Sequence, residues 1–168
     1  MKEKINLLKS LPTVKKPLNI RNNASKEDRK CHWELSEKYF DGTREQGYGG
    51  YIYDGRWKQV AKDIVEHYCL KEGDKILDIG CAKGFLLSEF NEEHKIKDVW
   101  GVDISLYAKE NAKTEIRDRI FIANAKELPF ENNFFDLVIS INSLHNILNV
   151  NETIHALSEI QRVTKKNS

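Results

Sequence analysis

The residues whose types and spacing suit chemistry are Asp78, Gly80, Ala82, Gly84 and Asp103. Lys75-Ile76-Leu77-Asp78-Ile79 is apolar, rich in branched residues and followed by Gly80, the pattern of a short buried strand. Gly80, Ala82 and Gly84 then alternate through a tight turn, and Phe85–Phe90 continues with helical spacing. A strand–turn–helix unit of this kind lets backbone approach a ligand closely, with helix N–H groups aimed at it. Asp103 ends the next apolar stretch, nineteen residues beyond Gly84. That spacing is the one at which nucleotide-binding βαβ units carry the acid that holds a ribose diol. An ionised carboxylate accepts two such bonds, and accepts them more strongly than a neutral group. The same acid also suits the N-terminus of the helix that follows it.

A second polar stretch, Ser140-Ile141-Asn142-Ser143-Leu144-His145-Asn146, follows the fourth apolar segment. His145 is able to exchange a proton near neutral pH, or equally to cap or pack the next helix. Cys81 has no histidine close by in sequence and reads as a small buried spacer.

These residues need elements to position them. Trp57, Val60, Ala61, Ile64, Val65 and Tyr68 fall on one helical face. A short helix is expected over 31–40, and strands over 75–79, 98–103, 120–123 and 135–140. Ser105 is expected to cap a helix running to about Arg117. Asn149, with Glu152 three residues on, opens a last helix whose buried face is expected to carry Ile154, Leu157 and Ile160. Strands alternating with helices predict a parallel sheet with right-handed crossovers. Ligands of such sheets bind at the carboxyl ends of the strands. Asp78–Gly84, Asp103, Asn124–Lys126 and Ser140–His145 all sit at such ends.

The order of these motifs resembles class I S-adenosylmethionine (SAM) methyltransferases: D-x-G-x-[A]-x-G, then Asp103, then Asn124-Ala125-Lys126-Glu127-Leu128-Pro129-Phe130 with Phe135-Asp136-Leu137-Val138. The resemblance spans roughly residues 57–163 and points to the small type 11-like members. It implies an α/β, Rossmann-like three-layer sandwich with a mostly parallel sheet, strand order 3-2-1-4 present and strands 5–7 missing. It implies SAM as cofactor, held by Asp78, Gly80, Cys81, Ala82, Gly84, Asp103, Ile104, Asn124, Ala125, Lys126, Ser140 and Tyr48. Asn142 and His145 are then the expected catalytic residues. Ala82 stands where the family often has glycine, and is expected to resist a positive φ. Asn124 replaces the commoner aspartate and is expected to meet the adenine amine. Residues 31–56, with Gly47-Tyr48-Gly49-Gly50-Tyr51-Ile52-Tyr53-Asp54-Gly55-Arg56-Trp57, resemble a lid whose tyrosines 48, 51 or 53 steady the sulfonium. Enzymes that methylate base amines resemble one another in an Asn/Asp-Pro-Pro-aromatic element after the fourth strand. That element is absent here, and so is a Pro-Cys pair for base carbons. A small-molecule or sugar acceptor is expected, and a nucleic acid is disfavoured. The alternative is a SAM-binding remnant or regulatory partner without turnover.

Composition sets the outer bounds. The 168 residues carry 40% hydrophobic and 32% charged side chains and a net charge of +1, so global charge argues for neither nucleic acid nor anionic lipid. No run has membrane-spanning length, and the N-terminus lacks signal-peptide character. Three cysteines without a C-x-x-C pair argue against a disulfide framework or a metal site, and a cytoplasmic location is expected. Residues 1–30 carry nine Lys/Arg against three acids and read as a flexible basic leader. Residues 57–168 then form the cofactor-binding core, expected to be incomplete at its C-terminal side. A partner chain or dimer is expected to cover the sheet edge left open there.

Overall fold

The computed structural model describes residues 5–12 and 24–166. Of the expected leader, residues 1–4 and 13–23 lie outside the described residues. Within it, Leu7, Leu8 and Leu11 pack against the core, and Ser10 Oγ donates to Asp63 Oδ2 at 3.0 Å.

Four strands form one parallel sheet: β1 Ile76–Ile79, β2 Val99–Asp103, β3 Ile120–Ile122 and β4 Leu137–Ile139, in the order β3-β2-β1-β4. The order and the parallel pairing are those expected. β1 lies at the centre, with Asp78 opposite both Gly101 and Ile139. Side-chain alternation along β1 divides the core in two. Ile76 joins one layer with α3 (Lys58–Tyr68), α4 (Phe85–Glu92) and α6 (Thr114–Arg117), through Val60, Ile64, Leu87, Phe90 and Ile116. Leu77 and Ile79 face the other layer, with Phe135 and with Val163 of α7 (Val150–Val163). Each fully buried side chain of this kind stabilises the fold by about 1.5–3 kcal/mol. Beside β4, Phe135 bridges to Thr164 in parallel.

Three local expectations are corrected. The helix expected over 31–40 is two helices, α1 (Lys26–Glu34) and α2 (Glu37–Asp41). A capping box between Ser25 and Asp28 starts α1 early, and Leu35 in the left-handed region ends it. The helix expected from Ser105 to Arg117 is broken into α5 (Leu106–Glu110) and α6. Asn111 donates its amide to the Tyr107 carbonyl, and Lys113 is extended, so the chain leaves α5 before α6 begins. In α7 the Asn149 cap is as expected, accepting the Asn151 and Glu152 N–H groups. Its buried face is only partly as expected: Ile160 packs on the core beside the fully buried Val163 and Ala156 is fully buried, while Ile154 and Leu157 are 55% and 50% exposed.

Candidate functional site

A cavity of about 840 Å³ opens at the carboxyl ends of the strands. Its floor is made by Ile79, Gly80, Ala82, Asp103 and Ile104, one side by Asn124–Lys126, and another by Asn142–His145. The roof is a cap of residues 32–48, contributing Trp33, Leu35, Tyr39, Phe40 and Tyr48. That volume is in the range of pockets that enclose a cofactor-sized molecule.

Asp103 is the best-anchored polar group in the cavity. Its Oδ2 accepts the Ala82 N–H and its Oδ1 accepts the Ser105 N–H, each at 2.8 Å. Burial raises its pKa, opposed by the N–H donors of Ser105, Ala82 and Ile104. Both oxygens keep lone pairs for a ligand, so a diol is the partner they suit.

Asp78 lies behind this floor, 6% exposed, and does not line the cavity itself. Burial, then the charge of Asp103, push its pKa up to about 7. Among the described residues no hydrogen bond reaches its carboxylate, so a cation brought nearby would be its natural partner.

The turn itself supplies shape and few donors. The Gly80 and Cys81 N–H groups both donate to the Val102 carbonyl, Ala82 to Asp103, and Gly84 to the Cys81 carbonyl. Ala82 takes φ +50° despite its side chain, held there by its bond to Asp103, so the expected resistance to a positive φ is overcome. Gly80 is needed for close approach: a Cβ there would lie 2.2 Å from the Ser143 Cβ. Gly84, at the start of α4, does not line the cavity; its bare Cα faces Ile116 of α6. Cys81 is 5% exposed with its sulfur against Gly101, and burial holds its thiol well above the ordinary range. It is a packing residue, not a nucleophile.

On the β4 side, Ser143 was not singled out in sequence, yet it ties the wall together. Its Oγ donates to the Ile79 carbonyl at 2.8 Å and shares a 2.6 Å hydrogen bond with Ser140 Oγ. Ser140 thus braces the wall from outside the cavity. Asn142, at φ +54°, and His145, in a short 3₁₀ turn over Leu144–Asn146, both face the cavity and are exposed. Asn124 Oδ1 accepts the Lys126 N–H at 3.0 Å, which fixes that turn, and Lys126 pairs with Glu152 at 3.0 Å.

Of the three lid tyrosines, only Tyr48 lines the cavity. Tyr51 stacks on Phe85 with centroids 4.9 Å apart, and Tyr53 donates its hydroxyl to Glu89 at 2.6 Å. Both serve to dock the cap. His32, Trp33 and Tyr39 were not singled out as site residues. Their only signal in the sequence was an aromatic cluster just ahead of the glycine-rich stretch.

Among the described residues there is no His/Cys/Asp/Glu cluster that would hold a metal, and no helix long and apolar enough to cross a membrane.

Comparison with known proteins agrees with this geometry. The family profile described as "Methyltransferase domain" matches residues 77–168. The ubiquinone/menaquinone biosynthesis C-methyltransferase of Campylobacter jejuni is 32% identical over 139 residues, 79% of this chain and 57% of that protein. The mitochondrial arginine-hydroxylase NDUFAF5 of Rattus norvegicus is 38% identical over 90 residues, 53% of this chain and 25% of that protein. The chain therefore spans between a quarter and 57% of the length of these two relatives. The solved structure of a SAM-dependent methyltransferase from Methanosarcina mazei superposes with a TM-score of 0.52 at 28% identity, covering 61% of this chain and 52% of that one.

Proposed function

The chain belongs to the class I SAM-dependent methyltransferase family, and from that premise we propose that it transfers a methyl group from SAM to a hydroxyl or amine of a small molecule or sugar. The observation that carries this reading is Asp103. It is an acid at the end of β2, anchored by two backbone N–H groups, on the floor of a cavity of cofactor size.

The residues present fit the cofactor. Asp103 would accept from the ribose hydroxyls. Asp78, buried and with no hydrogen bond to its carboxylate among the described residues, would answer the charge of the amino-acid tail. Asn124–Lys126 and the exposed Ile104 would flank the adenine. When bound, SAM supplies an electrophilic methyl on a sulfonium that is already a good leaving group. The protein therefore needs mainly to orient the acceptor and exclude water. Phe40, Tyr39 and Tyr48 line the roof and would shield the bound cofactor from water on that side. Tyr48 also offers an aromatic face to a cation. His145 Nδ1 or Nε2 would take the proton that the acceptor hydroxyl or amine loses, and Asn142 would orient that group by hydrogen bonding.

A second reading is SAM binding without methyl transfer. The arginine-hydroxylase name of one relative favours keeping it, since that name belongs to a chain of similar sequence with another activity. Calorimetric titration with SAM, on wild type and on Asp103→Ala, tests the cofactor site. Incubation with methyl-labelled SAM and a panel of hydroxyl and amine acceptors then separates the two readings. Label transfer that is lost in His145→Ala supports catalysis. Tight binding with no transfer to any acceptor favours the second reading, and no binding by the folded wild type overturns both.

A further inference from the structure

Asp41, at the end of α2, gathers donors from three places. Lys83 Nζ reaches its two carboxylate oxygens at 2.7 and 2.6 Å, Tyr107 Oη donates at 2.7 Å, and the Tyr51 N–H donates at 3.2 Å. Lys83 belongs to the turn between Ala82 and Gly84, and Tyr107 belongs to α5. The Lys83 side chain is only 8% exposed. An ammonium is rarely so buried unless it is paired, and here the pair joins the cap to the cofactor floor.

Lys83 does not line the cavity, so its charge serves the cap and not a ligand in that space. The residues next to the pair do line it: Phe40 precedes Asp41, and Ala82 precedes Lys83. The ion pair therefore sets the separation of two cavity walls, one covalent step from each. A second tether, Ser105 Oγ donating to the Leu35 carbonyl at 2.6 Å, joins the cap to the residue whose N–H holds Asp103.

Resting on the cofactor-site reading above, we propose that Asp41 is a positioning residue, which through Lys83 pins the cap to the glycine turn and keeps the cavity in its binding shape. Removing the Asp41 charge leaves the buried Lys83 ammonium unpaired, and removing Lys83 leaves the exposed Asp41 with only the Tyr107 and Tyr51 donors and no tie to the glycine turn; either change loosens the cap while the sheet stays folded.

The test uses the full chain as wild type, Asp41→Asn, Lys83→Met, the double variant of these two, and Lys83→Arg. Amide hydrogen exchange without ligand and calorimetric titration with SAM are measured on each. Exchange over residues 32–52 should rise about tenfold in either single variant while α3 keeps its protection. The SAM dissociation constant should rise about tenfold in both. The double variant should be no worse than the weaker single, and Lys83→Arg should stay close to wild type. Unchanged SAM affinity in the single variants overturns the proposal, as does unchanged exchange in the cap or full additivity in the double. If a single variant unfolds, Asp41→Lys combined with Lys83→Asp decides: restored folding and affinity support the pin, and failure to restore them overturns it. No SAM binding by wild type would overturn the cofactor reading instead, and exchange in the unliganded chain would then decide the pin alone.

Discussion

The Ala82 N–H donates to Asp103 Oδ2 at 2.8 Å, so the acid that ends β2 also holds the middle of the turn that leaves β1. Site and scaffold share one carboxylate. Asp103→Ala should therefore do two things at once. It should weaken SAM binding at least tenfold by removing a charged acceptor, and lower stability by about 2–4 kcal/mol by stranding the Ala82 and Ser105 N–H groups. Asp103→Asn keeps one acceptor oxygen and should lose less stability than the alanine variant while still weakening SAM. Calorimetry and urea unfolding on the two variants check the ordering.

The pH dependence follows from Asp78. Its pKa rises from 3.8 to about 7 on folding, by burial and then by the charge of Asp103. The folded chain thus holds this proton more tightly than the unfolded one. The contribution to stability is fully present below pH 3.8 and is lost as pH rises through about 7. Asp103 is raised too, and acts in the same direction. Carboxylates lowered by partners, such as Glu159 at about 2 beside Arg162, have their effect at more acid pH and with the opposite sign. Unfolding free energy should therefore fall between pH 5 and pH 8 by a few kcal/mol, on the order set by such a shift. Urea titrations across that range should show the slope, and Asp78→Asn should flatten it.

Much of the cofactor floor was legible in the sequence because it is built from short-range signals. The strand over 76–79, the small residues at 80, 82 and 84, and an acid nineteen residues on are set by backbone geometry, which each residue type announces locally. The roof was not legible in the same way. Leu35 meets Ser105 across 70 positions, and Asp41 meets Lys83 across 42, and no local pattern encodes such pairings. By residue type alone, Tyr51 or Tyr53 suits a sulfonium as well as Tyr48 does. The structure sends one to Phe85 and the other to Glu89, since both neighbours are buried and offer better partners.

Helix α7 shows a different ambiguity. Ile154 and Leu157 fit a buried stripe by spacing, but so do Ala156, Ile160 and Val163, and the second stripe is the one turned to the sheet. Periodicity finds the helix, and packing chooses the face. Leu157→Lys should change stability by no more than about 0.5 kcal/mol. Ala156→Leu should cost about 1–3 kcal/mol by overpacking a closed contact. Thermal denaturation of the two variants reads the difference directly.

Ala82 and Asn142 both occupy the left-handed region, at φ +50° and +54°. Asparagine visits this region readily and alanine does so at a cost of roughly 1 kcal/mol. Ala82→Gly relieves that cost but frees the unfolded chain and removes a methyl packed near Phe40 and Ala108, so stability should stay within about 1 kcal/mol of wild type. Ala82→Val places a branched side chain at the same φ and should lose about 2 kcal/mol or more. Urea unfolding should separate the two, with Ala82→Gly still binding SAM.

The far end of the cap is fixed by a buried acid. Tyr53 Oη donates to Glu89 Oε1 at 2.6 Å, while Glu89 is 1% exposed and its Oε2 is buried with no hydrogen-bond partner among the described residues. Lys113 Nζ lies 4.0 Å from the centre of the Tyr53 ring and adds a favourable cation–π contact. Tyr53→Phe keeps the ring and that contact but takes a strong donor from the buried carboxylate, which should cost about 2–3 kcal/mol. Glu89→Leu removes the acid but strands the hydroxyl, whose route to water is easier, so its cost should be smaller. With both changes no buried polar group is left waiting, and the double variant should recover most of the loss seen in Tyr53→Phe. A double-mutant cycle by urea unfolding measures this coupling. Additive losses would mean that the tyrosine holds the cap by packing alone.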